Sequence, residues 1–397
     1  MNVTVKPKKL SGVIGAISSK SDAHRKIICA SLCDEPTKIF INGFSKDIEA
    51  TLRCVAALGA RVLKNADSVV IARGQAKKNP ELFCGESGST ARFLLPVAAC
   101  LSDGFTMTGE GRLPTRPFTE LVTQMAEHGC VATGQSLPMS VSGRLSGGEY
   151  SICGNVSSQY ISGLLMALPN CSEDSKITLL SPLQSRAYVD MTIDTLRLFG
   201  IEITLTDKGY FIPGNQKFKS PFEINCDGDW SNAAFFLAAA CCGCDVHVLG
   251  LDSASTQGDR AFLSAAKENT VDVSEIPDLV PPLAVVAASK RGVTVFQNAG
   301  RLRLKESDRL VSVSEMINSL GGQAEILGDS LKITGLGGLS GGVVNSYLDH
   351  RIVMASAVAS VISEGDIKIL GAEAADKSYP SFFDDFKSLG GEFNAEY

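Results

Sequence analysis

VSSQYISGLLMALPNCSEDSKITLLSPLQSRAYVDMTIDTLRLFG, residues 156–200, decides the fold. It opens on a polar, hydrogen-bonding start, VSSQ, and passes into YISGLLMAL, which is apolar all round and rich in small residues. A helix without a polar face belongs in an interior. The stretch closes on a helix of another kind. YVDMTIDTLRLFG sets Val189, Ile193 and Leu196 at helical spacing and runs into Gly200, the residue type that most readily ends a helix in a left-handed conformation.

Both kinds of helix recur along the chain. Amphipathic patterns that run into a glycine are IEATLRCVAALG, PFTELVTQMAEHG, ESDRLVSVSEMINSLG and SYPSFFDDFKSLG, ending at Gly59, Gly129, Gly321 and Gly390. The glycines at 59, 129 and 200 lie about 70 residues apart, as do those at 321 and 390. The interval from Gly200 to Gly321 fits two units, one shortened, with QGDRAFLSAAKEN filling the missing place. Interleaved with these are buried-helix segments: RKIICASL, TARFLLPVAAC, NAAFFLAAACC, LVPPLAVVAA and RIVMASAVASVI. Their starts are again polar: SSKSDAH, GESGS, GDWS, IPD and YLDH. Alternating runs with a central turn, ARVLKNADSVVIA and AEILGDSLKITG, predict hairpins.

Six units result, each with a buried helix, an amphipathic helix and short strands. The fold class is α/β, with three units in each of two similar domains. No Pro/Gly/Ser-rich linker divides them, so the crossover is tight and falls near INCDGDW. The expected division is 19–226 for one domain and 1–18 with 227–397 for the other. If the buried helices run parallel within a domain, their N-termini share one cleft. Unpaired N–H groups then add positive potential to that of the side chains.

A net charge of −6 on 397 residues argues against broad nucleic-acid binding, so any anion must be met by local clusters. GAISSKSDAHRK, residues 15–26, is such a cluster, with Lys20, His24, Arg25 and Lys26 at a helix start. It is no Walker loop, because Ser19 stands where that motif needs glycine. The first residues lack an apolar signal core, which predicts a cytoplasmic location. The twelve cysteines sit mostly within apolar runs and read as small buried hydrophobes. Cys241 and Cys244 form a lone CxxC with no second pair or histidine to complete a zinc site. The four histidines read by default as mostly surface residues, with His350 orienting a neighbour.

SSKSDAHR, ESGSTAR, LPTRPF, SSQYISG, IPD, LRLKESDR, LDHR and DKSYP occur in that order between Ser18 and Pro380. In this the chain resembles the 5-enolpyruvylshikimate-3-phosphate synthase family of enolpyruvyl transferases. The resemblance implies two domains of three βαβαββ units around buried parallel helices, an inside-out α/β barrel, with the active site in the cleft between domains. It implies transfer of the enolpyruvyl group of phosphoenolpyruvate to the 5-hydroxyl of shikimate 3-phosphate, a step toward chorismate and the aromatic amino acids. It further implies no metal or organic cofactor, a monomer, and inhibition by glyphosate at the phosphoenolpyruvate position.

The residues that the resemblance carries over are these. Shikimate 3-phosphate contacts fall on Lys20, Ser21, Arg25, Ser157, Ser158, Gln159, Ser185, Asp278 and Lys305. Phosphoenolpyruvate contacts fall on Lys20, Gly88, Arg116, Gln159, Arg309, Arg351 and Lys377. Asp278 is the implied base, and Glu306 and Lys20 serve proton transfer at the methylene carbon. Arg92 and Tyr188 lie nearby in support.

Ordinary readings stand beside these. Asp278 is also a helix cap by position, and Lys305 with Arg309 has the spacing of a solvated helix face. Glu86 departs from the family's usual asparagine and is expected to cap the following helix or pair with Arg92. Arg301 departs likewise, and Trp230 stands near the crossover where a small residue is usual. Two rivals bound the reading. A sister enzyme acting on UDP-N-acetylglucosamine typically lacks the paired serines before Gln159. A silent ligand-binding homologue is expected to lose Lys20, Asp278, Glu306 or Lys377, and all four are present.

Overall fold

A computed structural model describes residues 1–396. The chain separates into two compact units: an inserted unit, Lys20–Cys226, and a terminal unit built from Met1–Ser19 and Asp227–Tyr397. Each has its own apolar core, and no side chain belongs to both. The chain enters and leaves the inserted unit side by side. Ser18 bridges Gly228, and the Ser19 N–H donates to the Asp227 carbonyl at 2.7 Å. That bond places Ser19 on the terminal side, one residue from the expected division.

Among the described residues, twelve α-helices alternate in kind. The inserted unit holds α1 (Lys20–Ser31), α2 (Lys46–Ala57), α3 (Gly88–Leu101), α4 (Thr119–Glu127), α5 (Ser158–Ala167) and α6 (Arg186–Leu198). The terminal unit holds α7 (Trp230–Cys241), α8 (Phe262–Ala265), α9 (Val280–Ser289), α10 (Arg309–Ser319), α11 (His350–Ala359) and α12 (Phe382–Ser388). Odd-numbered helices are the apolar ones. All ten residues of α11 are buried, and α9 exposes none of its apolar side chains. Even-numbered helices bury one face, and five of them end on a glycine of positive φ, at 59, 129, 200, 321 and 390.

The exception is α8, a single turn after a 3₁₀ segment (Gly258–Ala261). A full amphipathic helix has no room there, because the strand Thr270–Asp272 begins at once and pairs in parallel with Arg291–Gln297. The shortened unit therefore keeps one helical turn in place of a full helix.

Strand pairing repeats with the helices. In the inserted unit three four-stranded sheets share one order, two parallel strands followed by two antiparallel ones. One example runs Glu223–Asn225, Thr37–Phe40, Ser68–Ala72, Arg61–Lys64, with Lys38 opposite Val70. Two sheets of the terminal unit follow the same order, and one of them recruits the N-terminal strand Asn2–Val5 between Ile367–Leu370 and Phe393–Glu396. The shortened unit keeps only the parallel pair Ser11–Gly15 and Asp245–Leu249. No helix among the described residues is long and apolar enough to cross a membrane.

Close approach of α3 and α5 is set by Gly163. A Cβ there would lie 2.5 Å from the Arg92 carbonyl oxygen, so only glycine lets the two backbones meet. That contact brings the first turns of both helices together.

Candidate functional site

Two groups of polar side chains gather at helix N-termini, one in each unit. In the inserted unit Lys20, the first residue of α1, places Nζ 3.0 Å from Asp47 Oδ2 in the first turn of α2. Arg25 is buried, and its guanidinium donates to Thr192 Oγ1 at 2.7 Å, to the Ser21 carbonyl at 2.6 Å and to the Tyr188 carbonyl at 2.7 Å. It also lies 4.9 Å over the Phe93 ring. Arg25 thus ties α1 to α6 and holds the backbone beside Ser21 and Tyr188.

The cationic cluster of residues 15–26 is not a cluster of four ligand-facing charges. Lys26 pairs with Asp22 at 2.6 Å and donates to the Asn225 carbonyl at 2.8 Å. His24 is fully buried, and burial pushes its pKa down to about 3, so it is neutral. Its Nδ1 meets Thr51 Oγ1 at 2.6 Å, which meets Thr90 Oγ1 at 2.6 Å, which in turn donates to Ser87 Oγ at 2.7 Å. This chain links α1, α2 and α3. The surface expectation fails for two of the four histidines, since His350 is buried as well, beside Asp349.

At the start of α3 the cap is Ser87, whose hydroxyl accepts from the Thr90 N–H. Glu86 is therefore not the cap; its carboxylate lies against Gly111 instead. Gly88 opens the helix. A Cβ on it would lie 2.7 Å from Arg116 Nη1 and 2.9 Å from Arg92 Nη1. Two guanidinium groups and a helix N-terminus thus meet at one glycine, and like charges gathered there favour an anion. Arg92 Nη1 also donates to Gln159 Oε1 at 2.8 Å, and Gln159 Nε2 donates to Ser89 Oγ at 2.9 Å. Gln159 is thereby fixed between α3 and α5. Ser157 sits in the cap position of α5 without a side-chain capping bond, and Ser158 is the first helical residue. Ser185 takes the cap position of α6 in a left-handed conformation, φ 55°, and is buried.

The group in the terminal unit centres on Asp278. It lies in a 3₁₀ turn, Pro277–Leu279, and the cap position of α9 belongs to Leu279, so a capping role does not explain it. Asp278 Oδ1 is 2.7 Å from Arg309 Nη1 and 3.0 Å from Lys305 Nζ, and Oδ2 is 3.4 Å from Arg351 Nη2. Lys305 precedes α10 rather than lying on it, so no shared helix face joins it to Arg309. Burial alone would raise the Asp278 pKa, but Arg351, Lys305 and Arg309 outweigh it and hold the carboxyl well below its usual range.

The two arginines each have a second anchor. Arg309 pairs through Nε with Asp349 Oδ2 at 2.8 Å and through Nη2 with Glu306 Oε2 at 2.6 Å. Asp349 caps α11 and also accepts from Ser307 Oγ at 2.9 Å. Arg351 donates to Ser231 Oγ at 2.7 Å and to the Asp278 carbonyl at 3.2 Å. Lys377 is buried at the end of the 3₁₀ segment Ala372–Lys377, and the next residue, Ser378, bonds Asn232 near the start of α7. Nearby, Asp259 is buried, and that burial followed by Asp278 pushes its pKa up to about 6 although Arg351 opposes the shift.

Sequence reading did not single out Asp47, Ser231, Asp259 or Asp349 as site residues. Asp349 stood within the quoted LDHR, but its pairing with Arg309 spans 40 residues and leaves no mark in the local sequence. Trp230 opens α7 and is anchored by its indole N–H on the Asp252 carbonyl at 3.0 Å.

The chain matches the family described as EPSP synthase (3-phosphoshikimate 1-carboxyvinyltransferase) over residues 4–269 and 264–386. It is 40% identical over 420 residues to a 3-phosphoshikimate 1-carboxyvinyltransferase of Clostridium kluyveri, covering 99% of this chain and 98% of that one. A protein of the same name from Clostridium acetobutylicum is 40% identical over 418 residues, covering 98% and 97%. Among solved structures, EPSP synthase from Acinetobacter baumannii superposes with a TM-score of 0.82 at 23% identity, covering 99% of this chain and all of that one. An enolpyruvyl transferase from Streptomyces tendae superposes with a TM-score of 0.77 at 13% identity, covering 99% and 98%. At such identities these two speak for the fold alone.

Proposed function

The chain belongs to the EPSP synthase (3-phosphoshikimate 1-carboxyvinyltransferase) family, and from that premise we infer that its two polar groups serve one reaction. Shikimate 3-phosphate and phosphoenolpyruvate give 5-enolpyruvylshikimate 3-phosphate and inorganic phosphate. Each substrate carries a phosphate and a carboxylate, so four anionic groups need cationic partners.

In this reading the N-termini of α1, α5 and α6 hold shikimate 3-phosphate. Lys20, Ser21, Ser157, Ser158, Gln159 and Ser185 are the contacts there, Asp278 and Lys305 of the terminal unit add theirs, and Arg25, whose donors already serve Ser21 and α6, holds that wall in shape. Gly88 and Arg116 receive phosphoenolpyruvate with Lys20 and Gln159, and Arg309, Arg351 and Lys377 of the terminal unit complete its contacts. Glyphosate takes the same place.

One observation carries the mechanism: three cations converge on Asp278. So held, this carboxylate is a weak base. Substrate phosphate and carboxylate groups compete for Lys305, Arg309 and Arg351, and each cation they draw off raises the basicity of Asp278. Arrival of substrate thus makes the base that the reaction needs. Asp278 takes the proton of the 5-hydroxyl as its oxygen attacks C2 of the enolpyruvyl group. Glu306 and Lys20 serve proton delivery to C3, which becomes a methyl group. The tetrahedral adduct then loses a proton from that methyl and expels phosphate. Cationic donors fixed by their anchors stabilise the charge on the departing phosphate.

The reaction run in deuterium oxide tests this course. Addition followed by elimination places deuterium in the vinyl methylene of the product, seen by proton NMR. A product whose methylene stays wholly protiated at full conversion would rule the course out.

A further inference from the structure

We propose that Cys100 and Cys171 are a site of reversible oxidation, closing to a disulfide when a hydroperoxide reaches them. Their sulfur atoms lie 3.7 Å apart, in van der Waals contact. Cys100 sits in the last turn of α3, with its thiol on the Ala167 carbonyl at 3.4 Å. Cys171 directly follows the 3₁₀ turn that ends α5, with its thiol on the Leu145 carbonyl at 3.5 Å. Closing the pair takes the sulfurs from 3.7 Å to the ~2.05 Å of a disulfide bond.

Three further observations single out this pair. Cys100 is 6% and Cys171 5% exposed, and the exposed residues Ser172, Glu173 and Asp174 follow at once, so the pair lies at the rim of the core. Cys54 and Cys84 are also neighbours but are 1% and 0% exposed, sealed from solvent. Within the pair the roles differ. The contact with Cys100 lowers the Cys171 pKa against the effect of burial, whereas that same contact, followed by burial, raises Cys100. Cys130 beside them is pushed up to about 11 by burial and Cys171, and stays a protonated bystander.

The chemistry follows from that asymmetry. The Cys171 thiolate attacks the outer oxygen of the hydroperoxide, the O–O bond breaks, and the alkoxide or hydroxide leaves and takes a proton. The sulfenic acid formed on Cys171 is then attacked by the Cys100 sulfur. The S–O bond breaks, the S–S bond forms, and the hydroxyl departs with the Cys100 proton as water. The hydroperoxide gains two electrons and each sulfur gives one.

The bond closes a loop across 71 residues. It lies at the far ends of α3 and α5 from Gly88 and Ser158, about 20 Å along a helix of this length. The disulfide therefore raises thermal stability by constraining the unfolded chain while leaving the first turns of both helices in place.

The test treats the whole folded protein with hydrogen peroxide, then alkylates the remaining thiols in denaturant. The expected product has lost two alkylatable thiols, is lighter by two hydrogens, and yields a cross-linked peptide holding Cys100 and Cys171. Dithiothreitol reverses it. Its thermal midpoint lies above that of the reduced protein. Cys100→Ala and Cys171→Ser abolish the cross-link, and Cys130→Ala leaves it. Sulfinic or sulfonic acid on single cysteines, a disulfide between other residues, or folded protein that keeps all its thiols would overturn the proposal.

Discussion

A methyl group on residue 88 cannot be added without moving an arginine. The Cβ would meet Arg116 and Arg92 guanidinium nitrogens inside 3 Å, and these are the far ends of flexible side chains, so they shift cheaply. Gly88→Ala is therefore expected to fold. Glyphosate, longer than phosphoenolpyruvate, tolerates the displacement less, so its inhibition constant rises by a larger factor than the Michaelis constant for phosphoenolpyruvate. Equal factors would show that the two ligands do not share this place. Asp278→Asn keeps the shape of its site and removes the base. Turnover is expected to fall by about 10²–10⁴, the usual loss when a general base is removed, with shikimate 3-phosphate binding largely kept. A fall below tenfold would place the base elsewhere. At this scale the sequence was legible where chemistry sits in short strings: IPD, KESDR and LDHR carry Asp278, Arg309 and Arg351. It misled where burial decides. His24 and Lys26 looked like two more charges for a ligand, but one is neutralised by its apolar surroundings and the other by Asp22.

Elements carry strain and charge of their own. Tyr347 and Leu348 both adopt left-handed φ, 53° and 54°, just before Asp349 caps α11. That conformation costs a non-glycine residue about 1–2 kcal/mol, and Leu348, exposed, gives up little packing if truncated. Leu348→Gly is expected to leave stability unchanged or raise it by up to about 1 kcal/mol in chemical unfolding, after the entropy cost of glycine. A loss greater than that would show that the side chain holds the turn. His24, inside α1, ties stability to acid. Its folded pKa, about 3, lies below the ordinary 6.5, so between these values the unfolded chain binds a proton that the folded one refuses. Stability is full above pH 6.5 and falls as pH drops, by about 1.4 kcal/mol per unit for this group. His24→Gln keeps a partner for Thr51 and cannot titrate, so its unfolding free energy should fall less steeply from pH 6.5 to 4. Equal slopes would mean that His24 charges within the fold. The helix rhythm itself was readable, because an all-apolar segment and a one-faced segment differ in composition at every turn. What could not be read was that α8 shrinks to one turn, since that follows from the strand that begins behind it.

At the scale of the molecule, two units with separate cores each bring helix N-termini to a polar group, and neither group alone holds all the implied contacts. Asp259 of the terminal unit should make that unit respond to pH in its own way. Its folded pKa, about 6, lies above the ordinary 3.8, so its contribution is full below pH 3.8 and is lost as pH rises through 6. Asp259→Asn is expected to raise the unfolding free energy at pH 7.5 relative to the parent and to do so less at pH 4. An equal change at both pH values would mean that the carboxyl titrates normally. Repeats and motif order made this two-unit plan legible; the pairing of Asp47, Ser231 and Asp349 with their cations was not, because each partner lies far off in sequence. The central claim, that both groups work on shikimate 3-phosphate and phosphoenolpyruvate, meets its most direct test in release of inorganic phosphate from phosphoenolpyruvate with each of two acceptors. The account predicts release with shikimate 3-phosphate, one phosphate per acceptor consumed, and none above background with UDP-N-acetylglucosamine. Release with the nucleotide sugar alone, or with neither acceptor, would contradict it.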